Sequence, residues 1–73
     1  MFGIIGAGNI GSAILRSAIQ HGALRVDEAH VFDIHTEHMM ALKKELGVTA
    51  HASSRELIEA CDMILLAVKP NVV

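Results

Sequence analysis

Apolar residues along this chain follow two rhythms. Short continuous runs occur at Phe2–Ile5, His30–Asp33 and Met63–Val68, with a weaker one near Val48–His51. Runs of this length and composition suit β-strands. Between them the spacing is helical. From about Ile10 to His21 the residues Ile10, Ile14, Leu15, Ala18 and Ile19 share one face, and Gly22 follows as a left-handed stop. A second helix is expected from Thr36, read as its N-cap, to Leu46, with Met39, Leu42 and Leu46 inward and Gly47 as the stop. A third begins at Ser53 or Ser54. Ser53 and Glu56 have capping-box spacing there, and Leu57, Ile58 and Cys61 are expected to face inward.

Strands alternating with helices over such short connections predict an α/β fold with a parallel sheet and right-handed crossovers. Four strands and three helices in this order form the first half of a doubly wound sheet, in strand order 3-2-1-4. The chain stops just after the fourth strand, at Pro70–Val73. No internal repeat, low-complexity tract or linker interrupts the pattern.

Composition sharpens this picture in a few places. A chain of 73 residues is one small domain, yet 52% of it is hydrophobic, and its mean hydropathy is +0.45. So rich an aliphatic core in so short a chain, whose folding buries only about 60% of the unfolded surface, suggests a piece of something larger. The net charge of −2 excludes the basic footprint of a nucleic-acid binder. The single cysteine, Cys61, allows no internal disulfide, which favours a reducing compartment. The longest apolar run, Met63–Val68, is six residues, against the roughly 20 needed to span a bilayer. No basic region precedes the first apolar residues, so the N-terminus does not read as a signal peptide, and a cytoplasmic location is expected.

The most informative chemistry lies in the loop Ile5-Gly6-Ala7-Gly8-Asn9-Ile10-Gly11. A Gly-x-Gly-x-x-Gly pattern alone is a weak signal, but here a strand precedes it and an amphipathic helix follows. Asp33 then closes the next strand 22 residues beyond Gly11. In a dinucleotide site Gly6 permits the tight turn, Gly8 lets the backbone approach a pyrophosphate, and Gly11 lets the helix pack against the strand. The amide groups and positive dipole end of the first helix then face the phosphates. This arrangement is Rossmann-like. A P-loop fits poorly, because Ser12 stands where that motif needs its lysine. The bland alternative is a strand-to-helix turn that holds no ligand.

Asp33 bears on the choice between NAD and NADP. A carboxylate at the end of the second strand accepts hydrogen bonds from the adenosine ribose and repels a 2′-phosphate, favouring NAD. No arginine follows it to hold that phosphate, although His35, Thr36 and the start of the second helix offer an alternative. The bland alternative for Asp33 is a solvated strand-end carboxylate.

The loop Gly6-Ala7-Gly8-Asn9-Ile10-Gly11 and the closing Cys61-Asp62-Met63-Ile64-Leu65-Leu66-Ala67-Val68-Lys69-Pro70 together resemble the N-terminal domain of pyrroline-5-carboxylate reductases. Many relatives share the first motif; Ala-Val-Lys-Pro after an Asp-led apolar strand is the more specific one. The resemblance covers essentially all of the chain and implies reduction of 1-pyrroline-5-carboxylate to L-proline with NAD(P)H, in proline biosynthesis. It also implies a C-terminal helical half, absent here, that forms the dimer and most of the substrate pocket. By the same resemblance Ile5 to Gly11 would hold the pyrophosphate. Ala67, Val68, Lys69 and Pro70 would lie beside the ribose and nicotinamide, and Ser54 would stand where relatives often place a cofactor-touching Asn. Asp33 departs from the short neutral residues often seen near its position, which counts against the family's usual preference for NADPH. Pro70 also ends the strand on steric grounds; without the resemblance, Lys69 would read as a solvated charge. No residue reads as a catalytic proton donor.

Other features read as structural. His35 and His38 share a helix face and His30 lies near in sequence, but no Cys or carboxylate pattern completes a metal set at known spacing, so no metal is expected. Met39 and Met40 read as core and helix surface. Cys61 reads as a small buried hydrophobe rather than a nucleophile, and Glu56, Glu59 and Asp62 as solvated. Two further functions stay open on the residues alone: a dinucleotide-binding half-domain of another oxidoreductase, and a non-catalytic chain that self-associates through its fourth-strand edge.

Overall fold

A computed structural model describes residues 1–6 and 8–67, with the backbone alone at Asn9. The apolar runs form β1 (Phe2–Ile5), β2 (Ala29–Phe32), β3 (Thr49–Ala50) and β4 (Met63–Leu66). The helical stretches form α1 (Asn9–Gln20), α2 (Thr36–Leu46) and α3 (Ser54–Ala60). All strand pairs are parallel and the sheet order is β3-β2-β1-β4, as the alternation predicts.

Successive strand residues point to opposite faces, and each face has its own cover. On one side Ile4 and Val31 pack with Leu15 of α1 and Met39 and Leu42 of α2, with Ala29 and Val48 completing the core. On the other side α3 lies close over β1: a Cβ added at Gly3 would stand 2.6 Å from Leu57 Cδ2 and 2.9 Å from Cys61 Sγ. Leu57 is fully buried there. Burying a side chain of this size stabilises a fold by about 1.5–3 kcal/mol, a large share for so small a domain.

Several local expectations need correction. Ile10 and Ile14 are exposed, so the buried stripe of α1 narrows to Leu15, with Ala18 and Ile19 half-buried. Leu15 and Ile19 pack toward the sheet while Ile10 and Ile14 lie on the flank of the helix that no described element covers. Ile58 is likewise exposed on α3, and Met63 and Leu66 are exposed on the edge strand β4. Thr36 is the first residue of α2 rather than its cap; His35 holds the cap position and makes no side-chain capping bond. Ser53 caps α3 as expected, its Oγ accepting from the Glu56 amide at 3.2 Å. One short 3-10 turn, Val26–Glu28, is legible in no periodicity. β2 ends at Phe32, placing Asp33 just beyond the strand.

Candidate dinucleotide site

Because the strands are parallel, Ile5, Phe32, Ala50 and Leu66 all end on one edge of the sheet, and the loops that follow them meet there. The turn after β1 starts at Gly6, whose φ of 104° is a backbone conformation open chiefly to glycine. Its amide donates to the Phe32 carbonyl at 2.8 Å, which ties the loop to the residue before Asp33. Gly11, in the first turn of α1, lies under the loop: an added Cβ would stand 2.0 Å from the Gly6 carbonyl oxygen and 3.2 Å from Ala67 Cβ. The Ala67 amide in turn donates to the Ile5 carbonyl at 2.8 Å. Gly6, Gly11, Asp33 and Ala67 are thus brought together by backbone contacts.

Gly8 is different in kind. It caps α1 with an ordinary φ of −75°, and an added Cβ would meet nothing within 4 Å. Among the described residues nothing in the packing requires a glycine here, so the absent side chain leaves room rather than relieving a clash. α1 has no side-chain cap at its N-terminus and no acidic residue in its first turn. Its amide groups and dipole therefore keep their full attraction for an anion. An open approach over an uncapped helix end suits a pyrophosphate.

Beside this loop, a cleft of about 180 Å³ separates α1 from α2 and is lined by Gly8, Ser12, Arg16, His38 and Glu45 among others. It is smaller than the roughly 300–1,000 Å³ of whole-ligand pockets, so it has room for only part of a cofactor. At its far end Arg16 clamps Glu45 with two bonds, 2.6 Å from Nε and 3.0 Å from the terminal nitrogen, joining the two helices. The Arg16 guanidinium holds the Glu45 carboxyl below its usual range, and Glu45 holds Arg16 above its own.

Asp33 is buried, its side chain 7% exposed, and its Oδ1 accepts the His35 amide at 2.7 Å. This Asx turn starts α2 and fixes the carboxylate at the sheet edge. His35 Nδ1 lies 3.3 Å from Oδ1, and His38 Nδ1 lies 4.0 Å from Oδ2. Asp33 is therefore no solvated strand-end charge. Ser54, half-buried, is the first residue of α3, on the same edge of the sheet. Ala7, Val68, Lys69 and Pro70 lie outside the described residues, as does the side chain of Asn9.

Sequence reasoning missed a second histidine pair. His30 Nδ1 and His51 Nε2 are 2.6 Å apart, with rings stacked at 4.9 Å. His30 Nε2 is buried without a hydrogen-bond partner among the described residues. We assign the shared proton to His30 Nδ1, because a bare buried lone pair at Nε2 is cheaper than a buried unpaired N–H. Burial, then the nearby His51, lowers the His30 pKa. The pair has no pattern in sequence, since 21 residues separate its members. Burial also pushes the Cys61 thiol up, in keeping with an inert hydrophobe.

A family model described as "NADP oxidoreductase coenzyme F420-dependent" matches residues 1–73, the whole chain. The chain belongs to this NADP oxidoreductase family. The expectation of NADP or NAD as cofactor agrees with the family's description and with the uncapped glycine loop. Curated relatives include the "Pyrroline-5-carboxylate reductase" of Escherichia coli (strain K12), 34% identical over 70 residues. Proteins of the same name from Treponema pallidum (strain Nichols) and Methanosarcina acetivorans are 33% and 29% identical over 69 residues. These alignments cover 94–96% of this chain but 26% of each relative, so the chain spans about a quarter of the length of the proteins it matches. Among the described residues of this oxidoreductase-family chain, no helix is long and apolar enough to cross a membrane.

Proposed function

We propose that this chain is the cofactor-binding part of a cytoplasmic pyrroline-5-carboxylate reductase, which reduces 1-pyrroline-5-carboxylate to L-proline in proline biosynthesis. The observation that carries the reading is the glycine loop: Gly6 and Gly11 are demanded by the fold, whereas Gly8 is spare in the fold and leaves space before the end of α1. A bound NADPH or NADH supplies the hydride. The task of this chain is to hold and orient that cofactor. The amides at the start of α1 bind the pyrophosphate, and Asp33 accepts from the adenosine ribose, with His35 and Ser54 beside the cofactor. Ala67, Val68, Lys69 and Pro70 border the nicotinamide side. A helical C-terminal domain, a quarter-length match leaving room for one, supplies the substrate pocket and the homo-oligomer contacts.

The test is oxidation of NADPH or NADH by the complete protein when supplied with 1-pyrroline-5-carboxylate. Substrate-dependent loss of the reduced cofactor's absorbance, with proline formed, is the expected result. Dinucleotide binding without any turnover of this substrate would make the chain part of a different oxidoreductase of the same family.

A further inference from the structure

Asp33, His35 and His38 converge where β2 turns into α2, and one donor atom from each lies within 4.8 Å of the others. The helical spacing brings the two histidines together, with ring centroids 5.3 Å apart. The carboxylate comes from the end of the strand. Around a tetrahedral zinc ion, with bonds of about 2.0–2.1 Å, neighbouring ligand atoms stand roughly 3.4 Å apart. His35 Nδ1 is already at that separation from the carboxylate, 3.3 Å from Oδ1. His38 Nδ1 stands 4.0 Å from the other carboxylate oxygen, Oδ2, and with all three donor atoms within 4.8 Å of one another the set closes on an ion by movement of the His38 side chain. Both histidine side chains are more than half exposed and free to turn, whereas the buried carboxylate is fixed by the His35 amide at 2.7 Å. Hydrogen bonds of this kind orient ligating carboxylates in metal sites.

We propose that Asp33, His35 and His38 bind one divalent transition-metal ion of the Zn2+ class, and that this ion weakens binding of NADH. Two imidazoles and one carboxylate suit Zn2+ and its neighbours rather than Mg2+ or Ca2+, which favour oxygen ligands. Three protein ligands leave one position open to water, as in sites that exchange their contents rather than closed structural sites. The ion engages the carboxylate that would otherwise accept from the adenosine ribose. This second half rests on the dinucleotide reading above; the metal site itself does not.

The experiment is a calorimetric titration of the purified protein with Zn2+ at pH 7.5, repeated with Co2+, whose visible absorption reports a tetrahedral nitrogen and oxygen set. One ion per chain is expected. His35→Ala and His38→Ala should each weaken binding at least about tenfold, the scale seen for lost metal-site contacts. Both positions are exposed, and an unchanged thermal midpoint verifies folding. His51→Gln, which removes the other histidine pair, should leave metal affinity unchanged. Equal Zn2+ affinity in the His35→Ala/His38→Ala double variant, or loss of binding in His51→Gln, overturns the site. Saturating Zn2+ should raise the Kd for NADH at least tenfold in the parent protein and leave it unchanged in the double variant, by mutual exclusion. NADH affinity indifferent to bound zinc overturns the second half. Failure to bind NADH with or without metal overturns the dinucleotide reading, while the zinc titration still decides the metal site.

Discussion

Replacing Gly11 by Ala adds one methyl group in the first turn of α1, and two principles disagree about its effect. Helix propensity favours Ala over Gly by about 0.8–1 kcal/mol, so an exposed helix would gain stability. Packing opposes the change. The new Cβ would stand 2.0 Å from the Gly6 carbonyl oxygen, a neighbour in the backbone rather than a flexible side chain, and 3.2 Å from Ala67 Cβ. Loop and helix must part by about an ångström, and overpacking of this kind costs about 1–3 kcal/mol. Displacing Gly6 also strains the hydrogen bond that its amide donates to the Phe32 carbonyl and, through Ala67, the contact between β4 and β1. Because the 2.0 Å neighbour is backbone, the packing cost falls in the upper part of that range, about 2–3 kcal/mol; the net loss after the propensity gain is about 1–2 kcal/mol, which in a domain of this size lowers the thermal midpoint by roughly 4–16 °C. Circular dichroism melts of the parent, Gly11→Ala and Gly8→Ala proteins provide the assay. Gly8→Ala is the control, because its Cβ meets nothing within 4 Å and its φ of −75° suits any residue. Its midpoint should match or slightly exceed the parent's. A Gly11→Ala midpoint at or above the parent's would refute the close packing of α1 under the loop.

Four further outcomes follow from the same geometry. Gly8→Val should abolish dinucleotide binding in a fluorescence titration while the melting midpoint holds, since its side chain fills the approach to α1 and its Cβ meets none of the described residues within 4 Å; retained affinity would mean that the phosphates bind elsewhere. Asp33→Ser should raise NADPH affinity relative to NADH by removing repulsion of the 2′-phosphate, and an unchanged ratio of dissociation constants would show that Asp33 does not face the ribose. Stability should fall as pH drops below about 6.5, because the unfolded chain takes up a proton on His30 at its ordinary pKa while the folded chain, with that pKa lowered, does not. Full stability from this group is present above 6.5, and a His30→Leu variant with the parent's slope between pH 6.5 and 5.5 would assign the effect to other groups. Ser53→Ala should cost about 1 kcal/mol by removing the cap on the Glu56 amide; an unchanged denaturant midpoint would show the cap to be idle.

The sheet and its order were legible because strand runs and helical spacing alternate without interruption, and because short connections leave few ways to join parallel strands. The loop was legible because Gly6 is required by backbone shape, at a φ of 104°, and Gly11 by its close approach to the Gly6 carbonyl only five residues away, so both needs are local to the motif. Exposure of Ile10, Ile14 and Ile58 was not legible: periodicity shows which residues share a face, but not how far a neighbouring element covers it. The start of α2 was misplaced by one residue because the Asp33 carboxylate, rather than a Thr36 hydroxyl, organises that turn through the His35 amide. The same turn explains why the convergence of Asp33, His35 and His38 leaves no signature in the sequence. Helical spacing pairs His35 with His38, but only the fold swings the strand-end carboxylate between them. The His30–His51 pair arises in the same way, from β2 and the residue just after β3 being neighbours in the sheet.

The central claim is that the sheet edge around the glycine loop holds a nicotinamide dinucleotide, and amide chemical shifts during an NADPH or NADH titration test it most directly. The account expects saturable shifts concentrated at Gly6, Gly8, Gly11, Ser12, Asp33, His35 and Ala67, with Gly3 of β1 and Leu57 of α3 little changed. An absence of shifts at millimolar cofactor, or shifts centred on α3 and the exposed edge of β4, would contradict it.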